Sequence, residues 1–196
     1  MVDTRVVTAT AEHERLCNTL ARAFQNEEAC SHIFPDETGR SAQLLKMFRV
    51  MIKSDAKAGS LIETAGGEAV TLWRAPGQAT GGAIEFAASL LPFLFALGSG
   101  IGRGLQISTA IEAHHPKTPF WYLHFAGCEP SQQGKGFGGA AIRAGIARAD
   151  AEHTQCYLET ATESNLQIYA GMGFDLIADW QISRGPKFWG MLRPAR

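Results

Sequence analysis

The sequence predicts a single domain of the α/β or α+β class, in which helices flank a central mixed sheet. Two patterns lead to this prediction. From residue 120 onward, apolar strand-like segments alternate with helix-like segments in the order β-α-β-α-β, which is typical of a sheet covered by helices. Before them, two strand-like segments flank the glycines of AGG at 65–67, which indicates a tight hairpin. At 196 residues with 45% hydrophobic residues, the chain is long enough for one well-buried core.

The N-terminal half predicts a strand, two helices and the hairpin. Residues 4–8 predict a short strand, and Thr10 can begin a helix that ends before Pro35. A second helix is predicted over 41–56. The segment 82–113 predicts helix interrupted by a proline and four glycines. The residues that repeat at helical spacing in the second helix are Leu44, Leu45, Phe48, Met51, Ile52 and Asp55.

The C-terminal half begins with a strongly apolar strand over 120–128, and a glycine-rich loop then opens a helix. CYLET at 156–160 predicts the next strand. Ser164 can cap a short helix that ends near Gly171. Two further strand-like segments, DLIADWQIS and FWGMLR, complete the pattern.

The composition argues against several classes of function. A net charge of -1 provides no basic field, so we expect neither a nucleic-acid partner nor a membrane partner. The most apolar segment, 86–97, is shorter than the ~20 residues of a membrane span. The N-terminus lacks the apolar run of a signal peptide. The four cysteines lack metal-binding spacing, so we expect no metal, and reduced thiols in a cytoplasmic protein.

The stretch QGKGFGG is informative because four glycines in seven positions let the backbone approach a ligand closely. It does not match a phosphate loop, since neither Ser nor Thr follows Lys135. Gly134, Gly136 and Gly139 do match the dinucleotide pattern, with Glu159 where a ribose-binding acid would stand, although CEPSQQ separates them from the strand. A third interpretation is that a helix N-terminus binds the pyrophosphate of another cofactor.

The surroundings of this loop carry a resemblance. QGKGFG at 133–138 is similar to the Q/R-x-x-G-x-G/A signature of the GNAT N-acetyltransferase superfamily, and LET at 158–160, NLQIY at 165–169 and GMGF at 171–174 follow in that superfamily's order. HHPKTPFWYLHFAGCEPSQQGKGFGG and VTLWRAPG resemble the puromycin N-acetyltransferases and their relatives more closely. The resemblance is weakest between 78 and 113.

The resemblance implies a fold and an activity. The fold would be a GNAT-type domain over 1–196, with a mixed, largely antiparallel sheet that is splayed in the middle. Residues 1–118 would form the acceptor side and residues 119–196 the acetyl-CoA side. The activity would be direct transfer of an acetyl group from acetyl-CoA to the amine of a small molecule, antibiotic-like or a metabolite, by a monomer or homodimer.

The resemblance also implies roles for individual residues. Tyr169 would protonate the leaving thiolate, and Glu159 would position the amine or take its proton through water. His124 we expect to be a packed, hydrogen-bonded strand residue. The implied cofactor-binding residues are Ala126, Gly127, Cys128, Gln133, Gly134, Lys135, Gly136, Phe137, Gly138, Gly139, Asn165 and Tyr169. The aromatic residues that we expect in the acceptor pocket are Phe24, Phe34, Trp73, Phe86 and Phe93.

Two other functions remain open at this stage. One is a noncatalytic acyl-CoA sensor that keeps the fold and the cofactor. The other is an NAD-dependent oxidoreductase that uses the dinucleotide pattern. Peptide N-termini as acceptors and longer acyl donors also remain open.

Overall fold

The computed structural model describes residues 2–80 and 91–196, and the described strands form one sheet. The strands are β1 (Thr4–Val7), β2 (Gly59–Thr64), β3 (Ala69–Arg74), β4 (Trp121–Cys128), β5 (Cys156–Thr160), β6 (Asp175–Gln181) and β7 (Lys187–Arg193). The helices are α1 (His13–Ala23), α2 (Glu28–Ile33), α3 (Glu37–Ala58), α4 (Ile101–Ala113), α5 (Phe137–Ala151) and α6 (Asn165–Ala170). Residues 91–97 are also helical.

The strand order of the sheet is β1-β2-β3-β4-β5-β7-β6. Strands β4 and β5 pair in parallel, and the other neighbouring pairs are antiparallel. The parallel pair needs a crossover connection, which α5 supplies. The prediction of a mixed, largely antiparallel sheet flanked by helices is therefore confirmed.

The beginnings of two helices differ from the prediction. Helix α1 starts at His13 rather than at Thr10, because a 3₁₀ turn comes first. The chain before Pro35 forms two helices rather than one. The second of them, α2, begins after Glu27, whose side chain accepts a hydrogen bond from the backbone N–H of Cys30 at 2.8 Å.

Two further predictions about helices are wrong at least in part. Ser164 precedes α6 but makes no capping hydrogen bond through its side chain. In the segment before residue 113, the predicted interruption occurs at Gly98 and Gly100, which belong to a 3₁₀ turn. It does not occur at Gly102 and Gly104, because α4 runs continuously through both.

The sheet is splayed between its two parallel strands. Strand β4 pairs with β5 at only two positions, Trp121 with Cys156 and Tyr122 with Tyr157. Beyond Tyr122, β4 continues beside β3, and β5 continues beside β7. The splay that the resemblance implied is confirmed, and it leaves backbone groups of β4 without a strand partner on the β5 side.

A β-bulge lies at the point where the strands separate. In the pairing of β3 with β4, Leu72 stands opposite Phe125 and Trp73 stands opposite Leu123. His124 is therefore the extra residue. A bulge re-aims the side chains of its strand, and here it turns Phe125 toward the core formed by α1 and α3.

Helices cover both faces of the sheet. Helices α1 and α3 pack on one face around Leu20 and Phe48, which are fully buried. Helix α5 packs on the other face, against Trp73. Three residues of α5 at helical spacing are buried on this face, and they are Ile142, Ile146 and Ala149.

Gly145 allows α5 to approach the sheet closely. A Cβ atom at this position would lie 2.1 Å from Cε2 of Trp73, whose side chain is fully buried. We therefore expect Gly145→Ala to lower the free energy of unfolding by about 1–3 kcal/mol through overpacking, as measured by urea denaturation. Gly102→Ala is the matched control, because its Cβ would meet nothing within 4 Å and alanine favours the helix. Equal stability of the two variants would contradict this packing argument.

Candidate active site

A cavity of about 1160 Å³ opens where β4 and β5 separate. Part of its wall comes from the C-terminal end of β4, the glycine loop and the first turn of α5. Helices α2 and α4 also contribute to the wall. The cavity is large enough for a cofactor arm together with a small second molecule.

The glycine loop places a helix N-terminus at the cavity. Gly134 and Gly136 have φ angles of +77° and +86°, a conformation that favours glycine. Helix α5 begins directly after Gly136, and its first N–H groups have no acceptors within the helix. Residues of the loop and of this first turn line the cavity, and they are Gln133, Gly134, Gly136, Phe137, Gly138 and Gly139.

Lys135 is the exception in this loop. Its Nζ donates hydrogen bonds to the carbonyl of Ser131 at 3.2 Å and to Oε1 of Gln132 at 2.9 Å. These contacts turn the ammonium group back onto the loop, and Lys135 is not among the lining residues. The positive charge of Lys135, which the resemblance implied as a cofactor-binding residue, therefore lies against the loop and not on the wall of the cavity.

Helix α6 presents two of the predicted residues to the cavity. Asn165 and Tyr169 lie one turn apart and both line it. Asn165 Nδ2 donates to Oγ1 of Thr160 at 3.4 Å. Burial, aided by the negative charges of Glu159 and Glu27, raises the pKa of Tyr169 to about 12. Its phenol is therefore protonated throughout the neutral range.

Glu159 lies near the end of β5 and forms a pair with Tyr122. The Tyr122 hydroxyl donates to Oε1 of Glu159, and both residues line the cavity. Oε2 of Glu159 is buried and has no hydrogen-bond partner within residues 2–80 and 91–196. Burial raises the pKa of Glu159 to about 8, against the opposing effect of the Tyr122 hydrogen bond.

A second polar cluster stands beside this pair. His124 lines the cavity, and its ring stacks on that of Tyr122 with centroids 5.1 Å apart. Nδ1 of His124 lies 2.9 Å from Oδ2 of Asp55, a fully buried residue of α3. Arg74 Nε donates to the other oxygen of Asp55 at 2.5 Å. The expectation that His124 is hydrogen-bonded agrees with this geometry.

The predicted acceptor aromatics divide into three groups. Phe24 and Phe93 line the cavity. Phe34 and Trp73 do not, because both are buried in the core; Trp73 packs under α5 and donates from Nε1 to Oγ1 of Thr71 at 3.1 Å. The prediction that Phe34 and Trp73 belong to the acceptor pocket is therefore wrong. Phe86 lies outside the residues that the structure describes.

Several polar lining residues were missed by the sequence analysis. Glu27 caps α2 and lines the cavity, and burial raises its pKa. Glu112 lies on α4, and Tyr122 lies on β4. Asp55 contacts His124 and does not line the cavity, and the sequence carried a signal for it as a carboxylate at an apolar position of its helix.

The described part of the chain contains neither a candidate membrane-spanning helix nor a candidate metal-binding group. None of its helices is long and apolar enough to cross a membrane. Over the same residues, the side chains of His, Cys, Asp and Glu form no group of three or more that could hold a metal ion.

No protein-family model matches the chain, but solved structures match it along nearly its whole length. It is similar to a structure described as histone acetyltransferase HPA2 and related acetyltransferase from Corynebacterium glutamicum, with 25% identity, a TM-score of 0.76, and coverage of 100% of this chain and 98% of the other. A polyamine N-acetyltransferase from Drosophila melanogaster is 15% identical, with a TM-score of 0.66 and coverage of 97% and 99%. The NatC complex bound to Gag peptide and CoA includes a chain that is 11% identical, with a TM-score of 0.59 and coverage of 100% and 99%.

These similarities define the class of fold. The chain has the GNAT acetyltransferase fold, as the resemblance implied. The first two of these structures are described as acetyltransferases, and the NatC structure contains CoA.

Proposed function

We propose that this protein transfers the acetyl group of acetyl-CoA directly to the amine of a small molecule. One observation carries the proposal. A single cavity joins the N-terminus of α5, the unpaired edge of β4, and the side chains of Tyr169 and Glu159. These are the parts needed to bind a thioester cofactor and to move protons at its reacting carbon.

The glycine loop and β4 would hold the donor. Backbone N–H groups at the start of α5 and the helix dipole suit a pyrophosphate. Backbone groups of Ala126, Gly127 and Cys128, which have no partner strand on the β5 side, can pair with the amides of the pantetheine arm as a strand would. Asn165 would contact the same arm.

Proton transfer would take place at the thioester end of the pantetheine arm. The amine nitrogen attacks the thioester carbon, a C–N bond forms, and collapse of the tetrahedral intermediate breaks the C–S bond. Tyr169 would give its proton to the departing sulfur, since its phenol stays protonated. Glu159 would position the amine or take the proton of the nitrogen through water.

The acceptor would occupy the side formed by α2, α4 and the C-terminal end of α1. Phe24, Phe93 and Phe125 supply apolar wall, and Glu27 and Glu112 supply carboxylates. This combination suits a small amine with an apolar or planar body, including antibiotic-like compounds and metabolites. Puromycin belongs in the test set because of the sequence resemblance.

Ligand-dependent stability tests the proposal. We expect acetyl-CoA and free CoA to raise the melting temperature and NAD to leave it unchanged, because a ligand at 100 times its Kd stabilises the native state by about 2.7 kcal/mol. Stabilisation by NAD alone would reject the proposal in favour of an oxidoreductase. A thiol-release screen with puromycin, agmatine, spermidine, 2-phenylethylamine and a tetrapeptide would then identify the acceptor. Binding of acetyl-CoA without turnover of any amine would favour the sensor.

Tyr169→Phe tests the general acid. We expect kcat to fall about 100-fold with little change in the KM for acetyl-CoA, because a proton donor is removed while the ring is kept. Steady-state thiol release measures both constants. Stabilisation by CoA, which should match the wild type, controls for an intact cofactor site. Unchanged turnover would remove Tyr169 from the role of acid.

A further inference from the structure

We propose that His124, oriented by Asp55, accepts the proton that the amine nitrogen loses during acetyl transfer. Glu159 is then left to position the amine. This inference rests on the proposed function and assigns one of its steps to a specific residue. It is carried by the position of His124 on the bulge, its contact with Asp55 and its place on the cavity wall.

The bulge puts the imidazole at the opening between the strands. His124 is the extra residue of β4, two positions beyond Tyr122, the last residue of β4 that pairs with β5. It lines the same cavity as Glu159 and Tyr169. Its ring also stacks on Tyr122, whose hydroxyl is bonded to Glu159. The imidazole therefore lies, with Tyr122 and Glu159, in the cluster of polar side chains next to the point where β4 and β5 separate.

Asp55 determines which nitrogen of the imidazole carries the proton. Its oxygens lie 3.1 Å and 2.9 Å from Nδ1 of His124. An ionised carboxylate only accepts hydrogen bonds, so Nδ1 must be the protonated nitrogen. Nε2 then holds the lone pair. Within the described ranges, Nε2 of His124 has no hydrogen-bond partner. It is also not one of the side-chain atoms that are fully buried without a partner, so a ligand can reach it. It is free to accept a proton from a ligand in the cavity.

Asp55 is itself firmly held as an anion. Burial alone would raise the pKa of Asp55, yet His124 and Arg74 together lower it. Arg74 also donates to Ser54 Oγ at 2.7 Å, and only 7% of its surface is exposed. The carboxylate is therefore held in place by Arg74, and its orientation toward His124 does not depend on solvent.

Burial favours a neutral imidazole in the resting state. Burial lowers the pKa of His124, with Asp55 opposing this shift and Arg74 reinforcing it. Burial also lowers the pKa of the neighbouring His115, to about 4. The titratable and charged groups around His124 are Asp55 on α3, Arg74 on β3, Tyr122 on β4, Glu159 on β5 and, after α4, His115.

The proton transfer then balances. As the C–N bond forms, the N–H bond breaks and its proton moves to Nε2, which produces an imidazolium ion that the charge of Asp55 stabilises. Its proton leaves to water after the amide product departs. Glu159 is the weaker candidate for this step, because at its pKa of about 8 most molecules carry a protonated carboxyl at pH 7, whereas neutral His124 has its lone pair available.

Two measurements on the full chain test the inference. In ¹⁵N-histidine spectra at pH 7.5, we expect a neutral His124 with protonated Nδ1, identified by loss of its signals in His124→Gln. This measurement does not depend on acetyl transfer. Protonation on Nε2, or an imidazolium at this pH, would overturn the assignment.

The second measurement is kinetic, with acetyl-CoA and 2-phenylethylamine as the probe amine. We expect His124→Gln to lower kcat about 100-fold, to leave the KM for acetyl-CoA unchanged, and to abolish the acidic limb of the kcat profile. Glu159→Gln should keep that limb, and His13→Gln, outside the cavity, should behave as the wild type.

A His124→Gln enzyme with kcat within threefold of the wild type and an intact acidic limb would overturn the inference. Loss of the limb in Glu159→Gln instead would assign the proton to Glu159. Failure of the proposed function is distinguished by a wild-type protein that acetyl-CoA does not stabilise.

Discussion

Asp55→Ala is expected to lower the free energy of unfolding by about 3–5 kcal/mol. Asp55 is fully buried, forms an ion pair with Arg74 at 2.5 Å and accepts a hydrogen bond from Nδ1 of His124 at 2.9 Å. Removing one partner of a buried ion pair leaves the remaining charge without compensation in a poorly solvated place. Urea denaturation at pH 7.5 measures the loss.

Asp179→Ala is the matched control for Asp55→Ala. Asp179 pairs with Lys187 at 2.7 Å, but its side chain is 53% exposed, and exposed pairs contribute about 1 kcal/mol or less. We expect the control to change stability by no more than that. Similar losses in the two variants would contradict the view that the Asp55 cluster is a buried, compensated unit.

Glu159→Gln is expected to stabilise the protein in a pH-dependent way. The pKa of Glu159 is raised from 4.5 to about 8 in the folded state. Between pH 4.5 and about pH 8, the carboxyl keeps its proton in the folded state but has lost it in the unfolded chain. The free energy of unfolding of the wild type therefore falls by up to about 1.4 kcal/mol for each unit by which the pH rises. Glutamine does not titrate. The stability advantage of the variant should therefore grow from pH 5 to pH 8, by about 3–5 kcal/mol in total, and stay constant above.

Denaturation of the unliganded proteins at a series of pH values measures this advantage. Glu68→Gln provides a control of opposite sign, because the side-chain hydrogen bond from Thr64 lowers the pKa of Glu68 below 4.5. The stabilisation that the Glu68 carboxylate gives the folded state is fully present above pH 5 and is lost only at lower pH. The difference between that variant and the wild type should stay flat from pH 5 to pH 9. A flat difference for Glu159→Gln would show that burial does not perturb this carboxyl.

The sequence predicted the strands well, because alternation and apolar runs are local signals. All the predicted strands appear, and the AGG turn does form the hairpin. Helix boundaries were less predictable. Thr10 and Ser164 have the right side chains for capping, but neither caps a helix in this way, because the path of the chain decides whether a hydroxyl can reach an N–H group.

The cofactor side of the cavity was more predictable than the acceptor side. The glycine loop and α6 are short, contiguous motifs, and all of their predicted residues except Lys135 line the cavity. The acceptor aromatics are scattered, and composition could not separate Phe24, on the wall, from Phe34 and Trp73, in the core. Whether each of these aromatic rings lines the cavity or lies in the core depends on which helix packs over it.

By itself, the sequence determined the strands, the glycine loop and the tyrosine one turn after Asn165, because each depends on neighbours in the chain. Only the tertiary structure decided which distant side chains meet. Asp55, Arg74 and His124 come from a helix and two strands, and they meet only after α3 has packed on the sheet and the bulge has turned β4. A buried charge is stable only where partners surround it, and partners so distant along the chain have no spacing that a sequence pattern could reveal.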